Sequence, residues 1–177
     1  MGRMAKKGDS FFIRANLLHT TATGFQDAEI DLGAYIDART GGIIRIHNVE
    51  AALQDNTNYE KGPVASATAG DLNVRWQLTT VQESDLVLLG EAKSVISSGS
   101  YFTAKDSGGA VIFRDNAIDI GPQRWENGYL VASPNLYLGA DMDETTSNGY
   151  NVSLVLECTV EKVTPQSAMA LSMSQMG

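Results

Sequence analysis

The sequence predicts an all-β domain, a two-sheet antiparallel sandwich with a short arm at each end. Three observations carry that expectation. Apolar and polar residues alternate with period two over long stretches, Gly and Asn punctuate those stretches, and the composition disfavours surface helix. Charged residues make up 19% of the 177 residues, under the ~25% of an average domain, while Thr, Ser, Asn and Gly are plentiful. Long exposed helices would want Glu, Lys and Arg; strands and turns want what this chain has.

The clearest strand is 72–79, where Leu72, Val74, Trp76 and Leu78 share one face and Asn73, Arg75, Gln77 and Thr79 the other. Near the end, Val152, Leu154, Leu156, Cys158 and Val160 alternate with Ser153, Glu157, Thr159 and Glu161, and Val155 alone breaks the polar row. Such patterns describe strands with one buried and one wetter face. Further strands are expected at 11–18, 28–32, 43–53, 110–114, and 129–132 continuing past Pro134 to 138. Pro134 cannot donate to a ladder, so that last segment is an edge strand or two short strands. Segment 83–97 reads two ways. Leu88, Leu89, Ala92, Val95 and Ile96 fall at helical spacing behind Ser84 or Asp85, whereas Leu86, Val87 and Leu88 suit a buried strand.

Asn127-Gly128 and Asn148-Gly149, each followed by Tyr, are expected to close two-residue hairpins. Gly41-Gly42 and Gly108-Gly109 mark two more turns. The polar connection 54–70 is too long for a simple turn and suits a contact loop. Eight or so short strands without a crossover pattern fit an eight-stranded jelly roll. The Asn-Gly turns favour a runner-up, a sandwich with a closing meander, because two-residue turns join neighbours in one sheet. The chain divides into a basic N-terminal arm at 1–10, a β-sandwich at 11–164 and a Met-rich tail at 165–177.

Arg3, Lys6 and Lys7 give the first seven residues a charge of +3, leaving −11 on the other 170. Phosphate binding wants a basic surface, so this balance argues against sequence-specific nucleic-acid recognition. A small basic arm suits an acidic neighbour or an anionic membrane surface. In the uncharged tail, Met169, Met173 and Met176 stand at i, i+4 and i+7, one adaptable apolar face of a short helix expected to dock on a neighbour. The start of the chain lacks the apolar run of a signal peptide, and no apolar stretch reaches membrane-span length, so folding in a cytoplasm is expected.

No catalytic, cofactor or metal constellation emerges. Cys158 sits on an apolar strand face, where a thiol is a small hydrophobe. His47 reads as a satisfied strand residue and His19 as surface. Asp141, Asp143 and Glu144 loosely resemble a calcium loop, but Thr146 stands where that loop needs Gly and Val152 where it needs Glu. Trp76 belongs to the core. Trp125, in a polar turn, and Tyr59, in the long loop, are the candidates for a surface ligand.

With its short arm bearing Arg3, Lys6 and Lys7, its β body, its long last strand and its tail from Thr164, the chain resembles the single jelly-roll capsid proteins of icosahedral viruses. The resemblance implies a shell subunit with no enzymatic role, made in a host cytoplasm and resident in the virion. It also implies arms that cross to neighbouring subunits, with a second capsid protein or an inner membrane surface as further partners. Two other classes fit the same sandwich: a carbohydrate-binding, lectin-like module using Trp125, Tyr129 or Tyr59, and a β-sandwich enzyme with convergent carboxylates in a cleft; a filament or surface-layer subunit is a variant of the shell reading.

Overall fold

The computed structural model describes residues 9–37 and 39–176. Nine strands follow in order: β1 Phe11–His19, β2 Gln26–Asp31, β3 Gly42–Asp55, β4 Gly70–Thr79, β5 Val95–Lys105, β6 Val111–Ile120, β7 Tyr129–Val131, β8 Asn135–Met142 and β9 Tyr150–Lys162. A helix, α1 Pro165–Gln175, ends the fold. One sheet has the order β1-β9-β3-β7 and the other β2-β8-β4-β5-β6.

The pairing is nested. β4 pairs with β5, β3 with β7, β2 with β8 and β1 with β9, all antiparallel. A ribbon of nested antiparallel pairs rolled into two sheets is a jelly roll. β6 is additional, a ninth strand hung on the edge of β5.

The core fills the space between the sheets as the alternation requires. Leu72, Val74, Trp76 and Leu78 of β4 meet Val152, Leu154, Leu156 and Cys158 of β9, all 0–1% exposed. β3 reaches this core only by changing parity. Ile44 and Ile46 point inward before a bulge at His47, and Val49 and Leu53 point inward after it. The extra residue of the bulge shifts which side chains face the core. His47 uses the break to place Nε2 2.9 Å from Thr159 Oγ1, the satisfied strand histidine expected of it.

Several expectations are corrected. Neither Asn-Gly pair closes a two-residue hairpin. Gly128 and Gly149 have positive φ, but among the described residues no non-Gly residue does, so neither pair makes the turn that needs two such residues. The turn at Gly149 instead carries the chain from β8 in one sheet to β9 in the other, which removes the closing meander. Of the two readings at Pro134 the two short strands hold: it separates β7 and β8, which lie in different sheets. The 83–97 segment is neither a helix nor a buried strand. It is mostly turns, held where the Gln77 side chain bonds both N–H and C=O of Val87, and β5 begins only at Val95. β5, rich in Ser, Gly and Thr, has little apolar alternation to announce it.

His19 is buried rather than on the surface. Its ring stacks 4.8 Å from Tyr150, and its two nitrogens lie 2.8 Å from the Gly24 carbonyl oxygen and 3.1 Å from that of Thr20. Val160, expected on the buried row, is 47% exposed: β3 pairs with it on one side, but on the other β1 reaches only to Cys158.

Candidate assembly surfaces

α1 begins where Thr164 caps it, its hydroxyl accepting the Ser167 N–H at 3.2 Å, with Pro165 preset for a first turn. The helix docks on its own chain, but not by the methionines. Ala168, fully buried, packs with Ile43 and Ala132, joined by the partly buried Leu130, Val163 and Leu171. Gln175, 5% exposed, completes the contact. Its Nε2 donates to the Leu130 carbonyl at 2.6 Å and its Oε1 accepts the Ala132 N–H at 3.0 Å. The amide thereby supplies the backbone partners that the three-residue edge strand β7 lacks. Thr80 adds a bond to the Gln175 carbonyl at 2.7 Å.

Met169, Met173 and Met176 face away from this contact and are 55%, 68% and 61% exposed. The single helix face expected of them exists, and it is free in the monomer. Arg3, Lys6 and Lys7 lie outside the described residues.

Tyr59 and Trp125 stand in separate loops. Tyr59, 65% exposed, is in the β3–β4 connection, where its carbonyl accepts from Gln54. Trp125, 37% exposed, follows a 3-10 turn at Pro122–Arg124 and leans on Tyr129, with ring centroids 5.8 Å apart. An ion pair pins that loop. The guanidinium of Arg45 bonds Glu161 through two nitrogens and the Asn127 carbonyl through a third. The bond from Arg45 holds the Glu161 carboxyl below its ordinary range, and Glu161 in turn raises Arg45. Beside it, an open cleft of about 490 Å³ is lined by Arg45, Lys93, Tyr129, Leu171 and Gln175.

The carboxylates of Asp141, at the end of β8, and Asp143, just past it, accept backbone N–H groups, most of them from other elements. Asp141 Oδ1 accepts from Gly24 and Met142, and Asp143 Oδ1 from Asn73. Among the described residues no three His, Cys, Asp or Glu side chains converge on a metal position. Asp55, 9% exposed, ties the β8–β9 loop to the β3–β4 loop. Its carboxylate accepts from the N–H groups of Thr57 and Asn58, the Thr57 hydroxyl and the Asn148 amide. Burial alone would raise the Asp55 carboxyl, but these donors together outweigh it and hold the pKa below its ordinary value. No helix among the described residues is long and apolar enough to cross a membrane.

No family model matches the sequence, and no curated relative matches it. Solved structures with a similar course of chain include the VP1 pentamer of human polyomavirus 7, at 10% identity and a TM-score of 0.47, covering 91% of this chain and 100% of that one. VP1 of the trichodysplasia spinulosa-associated polyomavirus, in complex with sialylated glycooligomers, is 9% identical with a TM-score of 0.44, covering 85% and 93%. A chain of maize chlorotic mottle virus is 10% identical with a TM-score of 0.36, covering 90% and 96%. The jelly-roll assignment rests on the nested strand order and not on these superpositions.

Proposed function

We propose that this chain is a structural subunit that self-assembles, a capsid protein built on a jelly roll. The observation that carries the reading is where the exposed apolar side chains collect. Two clusters stand out, Met169, Met173 and Met176 on the outer side of α1 and Val111, Ile112 and Phe113 at the start of the edge strand β6. Contiguous exposed apolar surface marks an interaction site, and repetition of one subunit covers it without a cleft or a cofactor. In this reading Met169, Met173 and Met176 contact a neighbouring copy. Arg3, Lys6 and Lys7 reach an acidic neighbour, a second capsid protein or an inner membrane surface, and the protein resides in the virion.

A lectin-like reading has one observation in its favour, the adjacent rings of Trp125 and Tyr129 at the surface. Light scattering and negative-stain imaging of the full chain, repeated after deleting 1–9 and 165–177, separate the two. Closed shells, rings or regular arrays that vanish on deletion support the subunit. A monomer at every concentration, with glycan binding lost in Trp125→Ala, supports the lectin.

A further inference from the structure

β6 is the strand of this sandwich that covers least: Ile118, near its end, packs against the core, and its first six residues are exposed. The sheet opposite it has four strands and ends in the three-residue β7, so the fifth strand of the larger sheet overhangs the core. Its first six residues are exposed on both faces, with Val111 at 44%, Ile112 at 66% and Phe113 at 53%. Its outer edge pairs with no described strand. The Arg124 guanidinium takes the carbonyls of Ile118 and Asp119; the rest of this edge, with apolar side chains above and below, forms a template for another strand.

We propose that the β6 edge of one copy pairs, antiparallel, with the β1 edge of a second copy. The proposal deepens the self-assembly reading and rests on it. β1 is the other long open edge that carries apolar exposure. Phe12 is 56% and Leu18 54% exposed, and on the opposite face Phe11, Ile13 and Ala15 are only half-buried against the core.

Charge sets the register. With Arg14 opposite Asp115, Phe12 meets Ala117 on one face of the regular stretch 113–118 and Phe11 meets Ile118 on the other. Bulges at Ile112 and Asp119 bound that stretch, and beyond the first of them Val111 and Ile112 lie beside Leu17 and Leu18. Opposite charges and apolar pairs directly across a ladder each stabilise it.

Pairing of β6 with its own symmetry mate fits less well. A two-fold axis through such a pair keeps each face on its own side, so only residues of like parity can be opposite. Centring on 114 or 115 puts Arg114 against Arg114 or Asp115 against Asp115. Centring on 113 or 116 puts Ile112 against Arg114 or Phe113 against Asp119. The β1–β6 contact is head-to-tail, so it propagates into a ring or chain of subunits.

The test uses exposed positions in the full chain, with circular dichroism and thermal unfolding to verify the fold of each variant. Ile112→Lys abolishes assembly, Arg14→Asp or Asp115→Arg alone raises the critical concentration at least about tenfold, and the double swap restores it. Mixing Ile112→Lys with Arg14→Asp below the raised critical concentration of the latter yields a discrete heterodimer, because the intact β1 edge of one meets the intact β6 edge of the other. Wild-type particles with Ile112→Lys assembling normally, or a double swap that rescues nothing, overturn the strand pairing while leaving self-assembly intact. A wild-type chain that stays monomeric overturns both.

Discussion

Replacing Gln175 by Ala isolates the contact that holds the tail to the body. The substitution removes both side-chain bonds to β7 and leaves the Leu130 carbonyl and the Ala132 N–H without partners under a helix that excludes water. The Thr80 bond goes to the Gln175 backbone and survives. Each buried orphan costs ~1–3 kcal/mol, so the native state loses about 2–4 kcal/mol. The ceiling is the free energy of undocking α1, because a helix that lifts off returns both groups to water. For a chain of this length that loss lowers the melting midpoint by roughly 5–15 °C. Urea unfolding followed by the fluorescence of buried Trp76 measures the global effect, and amide exchange at Ala132 measures the local one. Met173→Ala, on the free face, is the control and stays within about 0.5 kcal/mol of wild type. A Gln175→Ala chain as stable as that control, with Ala132 still protected, would refute the edge-capping role.

Asp55→Ala removes the acceptor for four donors in two loops and costs about 3 kcal/mol by chemical denaturation. Because the folded pKa of Asp55 is depressed, its contribution is full above the ordinary carboxyl pKa of about 4 and is lost as pH falls through the folded value. Wild type therefore loses more stability than Asp55→Ala between about pH 5 and about pH 2, and equal losses would contradict this. Burial first, and the neighbouring Glu157 charge second, push the Cys158 thiol up to about 12, so the native chain resists a thiol reagent at about pH 8 until urea exposes it. Gly149→Ala must accept a φ near +72° and a methyl 2.4 Å from the His19 carbonyl oxygen. It destabilises by about 2 kcal/mol or more, and a thermal midpoint equal to wild type would sink that reasoning.

The strands legible in the sequence were those whose neighbours agree with their pattern. β4 and β9 lie in the interior of their sheets with one face on the core, so period-two alternation reports their burial directly. β5 is equally internal, yet its inward positions include Gly99 and Thr103, and a Cβ at 99 would lie 2.7 Å from the indole nitrogen of Trp76. The small residue exists to admit the large one, a reason visible only across two strands. His19 was misread for a similar cause. Its burial comes from Tyr150, far along the chain, and not from anything in its local sequence. The candidate contact residues fared likewise. The 3.6-residue spacing of Met169, Met173 and Met176 is a local property and predicted a shared face. Which face docks was decided by Ala168 and Gln175 meeting β7, a strand in a different part of the sequence.

By itself, then, the sequence determined an antiparallel sandwich, its two clearest alternating strands and a short terminal helix with its methionines on one side. These follow from periodicity, which acts over a few residues. Only the tertiary structure decided the sheet order, the role of each Asn-Gly turn, the free face of α1 and the overhang of β6. Each of these depends on which elements end beside one another, and a one-dimensional pattern records that a residue wants a partner without recording whether the fold provides one.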